Sequence, residues 1–189
     1  YHGGLDTRFG VETLIRAFAR LRDTMPRVSL RICGTGDGRD RLSRLADEIA
    51  PGRIDIAPRP VPFEQIPVEL LAADIGVVPT RDDRFTRLLL PVKLLEYVHM
   101  GLPVVASRLP GIVRYFSESD LNMFAPGDPD GLASAIEAVC ADGRAARERA
   151  VSAGRALDAI AWTHQRARYL ALVDELAVSA AGYQPAPAI

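Results

Sequence analysis

The chain has 189 residues, of which 48% are apolar, and its 23 Lys and Arg residues nearly balance 24 Asp and Glu residues, giving a formal net charge of −1. This length suits one domain, or one domain with an appendage. The balanced charge argues against the basic surface of nucleic-acid-binding proteins, so no nucleic-acid partner is expected. The sequence shows no signal peptide and no apolar run long enough to span a membrane, which predicts a cytoplasmic protein.

The cysteines and histidines offer little for metal or redox chemistry. Cys33 and Cys140 lie in apolar segments, which is typical of reduced cysteines in a cytosolic protein. His2, His99 and His164 lack the spacing of metal ligands, so we expect no metal site.

Apolar periodicity and the glycine and proline boundaries predict strands and helices that alternate along the chain. Strands are predicted at the end of 1–5 and at 28–33, 54–57, 74–78, 103–106 and 121–125. Helices are predicted at 10–21, 39–50, 63–73, after 90, at 112–116, after 128, at 144–158 and at 162–178. This alternation predicts an α/β fold: a doubly wound, Rossmann-like parallel sheet of about six strands, with helices on both faces and a C-terminal helical appendage. The opening segment resembles the end of a strand entering a glycine loop, so we expect the sequence to be a fragment of a longer chain.

The stretch LPVKLLEYVHMGLPVVASRLPG, from Leu90 to Gly111, carries the clearest chemistry. Pro91 suits the first position of a helix, whose free amides and dipole favour an anion. Lys93 adds a positive charge, and Glu96 lies on the same side of the helix, where its carboxylate could accept hydrogen bonds from two ribose hydroxyls. This helix could therefore hold a nucleotide diphosphate at its start and a ribose at Glu96. On spacing alone, a surface ion pair between Lys93 and Glu96, worth roughly 0–1 kcal/mol, is the simpler interpretation.

A glycine loop, Gly34-Thr35-Gly36, follows the second predicted strand, where ligands bind in parallel sheets. Arg39 stands at the third glycine of the G-x-G-x-x-G dinucleotide pattern, which argues against a nicotinamide cofactor. A glycine turn between a strand and a helix also occurs in many sheets that bind nothing.

Motifs in a fixed order resemble the C-terminal, donor-binding half of retaining glycosyltransferases with the GT-B architecture, in family four, the glycosyl transferases group one. The matching segments are YHGGLDTRFGVETLIRAFARL, VSLRICGTGDGRDRL, ADIGVVPT, LPVKLLEYVHMGLPVVAS and FAPGDPDGLASAI. The resemblance extends from about Tyr1 to Leu176. It implies transfer of a sugar from a UDP- or GDP-linked donor to an acceptor, with retained anomeric configuration, no essential metal and no separate cofactor.

The resemblance also implies roles for particular residues and reverses the preference for a simple ion pair. Glu96 falls at the glutamate that holds the donor ribose, and the glycines at 3 and 4 fall at the loop beside the diphosphate. Arg59 and Pro60 fall near the base-binding loop. We expect Lys93 and Glu96 to take part in catalysis. The full set expected to bind the donor is Gly3, Gly4, Arg8, Gly34, Gly36, Arg59, Pro60, Arg81, Leu90, Pro91, Val92, Lys93 and Glu96.

The sequence departs from the family pattern in two places. Leu88 stands where the first of two family glutamates would be, and Gly4 and Phe9 replace a basic pair. The P-x-K-x-x-E-Y pattern resembles a variant subgroup in which Lys93 supplies the lost charge. Arginines that could assist it are Arg8, Arg81 and Arg84, although each alone could be a solvated side chain. The alternative is a catalytically degenerate nucleotide-binding or assembly module of the same fold. An unrelated doubly wound sheet, such as a phosphate-binding regulator, is disfavoured because no acidic cluster follows the first strand.

By this resemblance, residues 1–158 form the donor-binding domain, 159–179 form a C-terminal helix, and 180–189 form a flexible tail. The helix could cross to an N-terminal acceptor-binding domain of the same protein, which would be a partner alongside the nucleotide-sugar. Peripheral association with the inner face of a membrane would come through that domain. Trp162 could equally pack on its own domain.

Overall fold

A computed structural model describes residues 1–181 as strands alternating with helices. The strands are β1 (His2–Gly4), β2 (Leu30–Thr35), β3 (Ile54–Ile56), β4 (Gly76–Val78), β5 (Val104–Ser107) and β6 (Asn122–Phe124). The α-helices are α1 (Val11–Thr24), α2 (Arg39–Ile49), α3 (Ile66–Leu71), α4 (Val92–His99), α5 (Pro110–Val113), α6 (Pro129–Ala141), α7 (Gly143–Ala159) and α8 (Trp162–Ala181). Short 3-10 helices occupy Thr7–Phe9, Phe63–Gln65 and Thr86–Leu88.

All strand pairings are parallel, and the strands hydrogen-bond in two sets, β1-β2-β3 and β4-β5-β6. In the first set His2 lies opposite Cys33 and Leu30 opposite Ile54, and in the second Gly76 lies opposite Val104. The predicted α/β class, parallel strands and strand number are confirmed. The carboxyl ends of the strands in each set therefore share one edge.

Apolar side chains on the two faces of the strands form two cores. Val77 and Val105 join the core beneath α1 and α6, whereas Val78 and Val104 join the core beneath α4 and α5. Because the first core also contains Ile32 of β2, it links the two sets of strands through packing. Helices therefore cover both sides of the strands, as predicted.

Helix α1 shows how sequence and packing agree. Its predicted apolar stripe is buried, including Leu14, Ile15 and Leu21, which have no exposed surface. The helix begins after Gly10, whose φ is 70°. A Cβ atom at Gly10 would lie 1.7 Å from the Pro79 carbonyl oxygen, so only glycine allows this close approach to the end of β4.

The structure differs from the predicted elements at several boundaries, and α5 covers Pro110–Val113 rather than the predicted 112–116. The predicted helix 63–73 is split into a 3-10 turn and the shorter α3, because Pro67 belongs in the first turn of a helix rather than its middle. Pro91 is the residue before α4 rather than its first residue, with an extended ψ of 127°. Helix α8 runs to Ala181, past the predicted end at 179. The remainder of the predicted tail, 182–189, lies outside the described residues. Within residues 1–181, no helix has both the length and the apolar character needed to cross a membrane.

Candidate functional site

The start of α4 lies against the carboxyl end of β1. The ammonium of Lys93, the second residue of α4, donates a hydrogen bond of 2.8 Å to the Tyr1 hydroxyl. It also lies 4.1 Å from the centre of the Tyr1 ring and 5.1 Å from that of Phe9. The Tyr1 hydroxyl in turn donates to the Gly4 carbonyl oxygen at 2.5 Å. Two aromatic rings therefore hold the ammonium at the glycine turn that ends β1.

The charge of Lys93 has no counterion in the described part of the chain. Across residues 1–181, no carboxylate lies within ion-pair distance of its nitrogen. Burial lowers the pKa of Lys93 to about 8, partly offset by the negative charge of Glu96. The start of a helix is itself electropositive, so a cation there is unfavourable unless an anion binds. The site thus carries a positive charge that has no direct ion-pair partner among residues 1–181.

The two glycines that end β1 make room for this arrangement. A Cβ atom at Gly3 would lie 2.7 Å from the Lys93 nitrogen, and one at Gly4 would lie 2.5 Å from the Phe9 ring. Gly3 has a φ of 121°, which side-chain-bearing residues rarely adopt. The structure therefore places both predicted glycines in direct contact with the groups that surround the cation.

Glu96, one turn further along α4, turns toward the same strand. Its Oε2 atom lies 2.9 Å from Nε2 of His2, and the two side chains are 30% and 13% exposed. Neither atom makes a hydrogen bond of good geometry, so the contact is close but bent. Burial, reinforced by Lys93, lowers the pKa of His2 to about 4, so the imidazole is neutral at pH 7. Glu96 thus combines a partly exposed side chain with one enclosed carboxylate oxygen, at the same edge of the sheet as Lys93.

The predicted glycines at the end of β2 pack closely against the chain that contains β1. A Cβ atom at Gly34 would lie 2.3 Å from the Gly3 carbonyl oxygen, and one at Gly36 would lie 3.1 Å from the Leu5 backbone nitrogen. These glycines are therefore required for close packing of the chain that follows β1. Their predicted role in donor binding stays a prediction.

Arg8 and Arg81 lie near Phe9. They line an open cavity of about 790 Å³ that also contains Phe9 and Phe85. The guanidinium of Arg8 stacks over the Phe85 ring at 5.3 Å, and the Arg81 backbone N–H donates to the Arg8 carbonyl oxygen at 2.9 Å. Because Phe9 contacts both this cavity and Lys93, the two predicted arginines border the site. Acidic side chains of the cavity are Asp6, Asp82 and Asp83.

The remaining predicted residues flank these groups. Arg59 and Pro60 are exposed on the loop after β3. Pro91 is buried, Leu90 is partly buried and Val92 is 68% exposed, so the chain entering α4 turns from the core to the surface. Within residues 1–181, no group of three or more His, Cys, Asp or Glu side chains could hold a metal ion.

A profile of the family described as glycosyl transferases group 1 matches residues 1–142. The chain belongs to this family. A curated relative is the GDP-mannose-dependent alpha-(1-6)-phosphatidylinositol monomannoside mannosyltransferase of Mycolicibacterium smegmatis, which is 32% identical over 171 residues. That alignment covers 88% of this chain but 44% of the relative, so the chain spans less than half of its length.

Solved structures share the fold. The C-terminal domain of a glycosyl transferase group 1 family protein from Francisella tularensis superposes with a TM-score of 0.70 at 15% identity, covering 84% of each chain. The Anabaena protein HepE, in complex with UDP and glucose, superposes with a TM-score of 0.74 at 19% identity, covering 90% of this chain and 47% of HepE. The predicted family and GT-B type of fold are thereby confirmed.

Within this glycosyltransferase fold, sequence reasoning missed Tyr1, His2 and Tyr97. The His2 backbone N–H donates to the Tyr97 hydroxyl at 3.0 Å, and the His2 ring meets the Tyr97 ring edge-on at 5.2 Å. These contacts fix β1 against α4. Tyr97 follows Glu96 directly in the sequence, and that position was the available signal.

Proposed function

We propose that this chain is the donor-binding half of a glycosyltransferase that transfers a sugar from a UDP- or GDP-linked donor. The observation that carries the proposal is the positive charge of Lys93 at the start of α4, which lies beside the glycines of β1 with no direct ion-pair partner among residues 1–181. A diphosphate brings negative charges and strong acceptors to such a position, where amides and helix dipole add to its attraction.

Glu96 supplies the second half of the recognition. A carboxylate accepts hydrogen bonds and donates none, so a vicinal diol is a matched ligand for its accessible oxygen. Its place one turn beyond Lys93 puts the ribose next to the diphosphate along α4. A nucleoside diphosphate therefore satisfies both charged residues with one molecule.

The same groups suit departure of the diphosphate. As the bond between the sugar and the donor phosphate breaks, the phosphate oxygen takes the electron pair, and Lys93 and the first amides of α4 stabilise that charge in a partly enclosed site. Fixed positive charge does here what a divalent cation does in other enzymes, which supports transfer without a metal. Retention requires the acceptor to approach on the face from which the diphosphate leaves.

The acceptor would be held by a second domain of the same protein. Helix α8 supports this part of the proposal, because Trp162, Leu172, Leu176 and Val178 are each more than half exposed. Apolar side chains gathered on one exposed helix mark an interaction surface. We propose that α8 packs against an N-terminal acceptor-binding domain, through which the enzyme would also reach the inner face of a membrane.

Calorimetric titration of this chain with UDP and GDP tests the proposal. Glu96→Ala should lose about 1.5–3 kcal/mol of binding free energy, the scale of a hydrogen bond to a charged group. Glu148→Ala is the matched control, because Glu148 is 64% exposed on α7, where it pairs with Arg144. Equal nucleotide affinity in wild type and Glu96→Ala would reject the assigned role.

One observation favours a second function, that of a catalytically degenerate binding or assembly module. Leu88, at the position of the missing glutamate, is 85% exposed just before α4 and offers no polar group. A full-length protein that transfers and hydrolyses no sugar from any UDP- or GDP-sugar, yet still binds nucleotide, would establish this alternative. Measurable transfer with Leu88 in place would exclude it.

A further inference from the structure

The side chain of His2 stands directly behind the carboxylate of Glu96. Their closest atoms are 2.9 Å apart, and both are shielded from solvent and make no hydrogen bond of good geometry. Two acceptor lone pairs do not rest at this distance, because their mutual repulsion is not offset by anything nearby. A proton on Nε2 would remove this repulsion and let the nitrogen donate to the oxygen across the close, bent contact.

The environment of His2 determines the protonation state of its imidazole. The imidazole is largely buried and close to the Lys93 ammonium, and both effects lower its pKa to about 4. At neutral pH the ring is therefore uncharged and carries a single N–H. Only the tautomer with hydrogen on Nε2 presents a donor to the Glu96 Oε2 atom, leaving Nδ1 as the acceptor.

The orientation of the ring is also fixed. The Tyr97 ring meets the imidazole edge-on at an angle of 85°, and the Tyr97 hydroxyl accepts the His2 backbone N–H at 3.0 Å. His2 lies on β1 and Tyr97 on α4, so ring and carboxylate are held from both elements. A donor fixed behind one carboxylate oxygen restricts rotation of the carboxylate and leaves Oε1 for a ligand.

We propose that His2 is a positioning residue that orients the Glu96 carboxylate toward the ribose diol by donating its Nε2 proton to Oε2. This inference rests on the proposed function, since it assigns the ribose to Glu96. His2 touches neither the diphosphate nor the sugar in this arrangement. Its loss should therefore affect recognition of the ribose and leave recognition of the diphosphate intact.

The experiment compares three ligands: inorganic pyrophosphate, the nucleoside diphosphate that wild type binds more tightly, and the 2′-deoxy form of that nucleotide. In wild type, removing the 2′-hydroxyl should weaken binding about tenfold, the effect of a hydrogen bond to a charged group. His2→Phe keeps an aromatic ring against Tyr97 but has no donor, and it should reduce that discrimination to about twofold or less. His2→Gln restores an N–H donor of similar reach and should restore most of the discrimination between the nucleotide and its 2′-deoxy form. Pyrophosphate affinity should stay within about twofold in both variants.

Several outcomes would overturn the inference. Ribose discrimination that persists in His2→Phe shows that Glu96 needs no positioning, and loss of pyrophosphate binding in that variant shows a general structural role. Nitrogen NMR of the wild-type imidazole gives a readout that needs no ligand, and hydrogen on Nδ1 instead of Nε2 at neutral pH would refute the proposal. Wild type could instead carry the Nε2 proton and still bind both nucleotides equally. That result would refute the ribose role of Glu96, and the positioning role of His2 would fall with it.

Discussion

Replacing Lys93 by Met should remove diphosphate binding without destabilising the fold. The pKa of Lys93 falls from 10.5 to about 8, chiefly through burial, and each pKa unit corresponds to about 1.4 kcal/mol, so the charged form costs about 3 kcal/mol at neutral pH. The hydrogen bond to Tyr1 and the contact with its ring offset roughly 2 kcal/mol of this cost. Met fills a similar volume without the charge. Lys93→Met should therefore match wild type or exceed it by about 1 kcal/mol in free energy of unfolding.

The stability difference between wild type and Lys93→Met should depend on pH, because folding lowers the pKa of Lys93. The unfolded chain holds the Lys93 proton up to about pH 10.5, whereas the folded chain releases it near pH 8. Between these values the unfolded state binds more protons, so wild-type stability rises with pH relative to the variant. Urea unfolding at pH 7 and pH 9.5 measures the difference, and it should be largest at pH 7. Lys93→Ala is the control, because it also removes the charge but opens a space and should be less stable than Lys93→Met. If Lys93→Met unfolded more than about 1 kcal/mol more easily than wild type at pH 7, the ammonium would be supporting the fold, and the reasoning would be refuted.

Three further predictions concern the same region and its surroundings. A bound diphosphate should raise the pKa of Lys93, so pyrophosphate affinity should fall as pH rises through about 8. Calorimetry in buffers of different ionisation enthalpy should show proton uptake on binding. A pyrophosphate affinity that stays constant between pH 7 and pH 9.5 would contradict this. Gly3→Ala should weaken pyrophosphate binding at least tenfold, because its Cβ would lie 2.7 Å from the Lys93 nitrogen, whereas unchanged binding would place the phosphate elsewhere. Asp128→Ala should cost about 1 kcal/mol of stability in urea unfolding, because its carboxylate caps α6 through the backbone N–H groups of Asp130 and Gly131, and it should leave nucleotide affinity unchanged.

The sequence predicts the elements well where local periodicity and packing agree. Helix α1 carries apolar residues such as Leu14 and Phe18 at helical spacing, and these are the side chains that the core buries. Prediction was weaker where proline chemistry acts on single residues. Pro91 suits the first helical position in general, but here its extended backbone makes it the residue before α4.

In the candidate site, the helix residues could be predicted from the sequence, but their contacts could not. The pattern of Lys93 and Glu96 is local, so their common helix could be predicted from spacing. Their partners could not, because the hydrogen bond from Lys93 to Tyr1 joins residues 92 positions apart. Alternation within β1 says which side chains share a face, but it does not say which helix lies opposite them. The contact between His2 and Glu96 therefore required the tertiary structure.

Gly34 shows a second limit of sequence patterns. A glycine turn after a strand suggested a ligand contact, but the nearest atoms to its missing Cβ belong to the Gly3 backbone and the Leu5 side chain. A pattern alone cannot tell whether glycine is needed for a ligand or for another segment of the same chain. In this fold the glycine of β2 makes room for β1, and the glycine of β1 makes room for Lys93.

The site also contains buried polar atoms that lack hydrogen-bond partners within the described chain. Among its buried side-chain atoms, those without a hydrogen bond are Nε2 of His2, Oε2 of Glu96 and Oγ of Ser107, and two of these three lie behind the proposed ribose site. The Lys93 ammonium, with its lowered pKa, lies one turn away on the same helix. Unpaired buried polar groups cost free energy, and the two apolar cores have the capacity to offset that cost. A ligand with an anionic end and a hydroxylated end would relieve the positive charge and engage the free carboxylate oxygen together. A molecule with only one of these ends would engage only one of the two charged groups, so the two halves of the nucleotide should bind more tightly when joined than their separate affinities suggest.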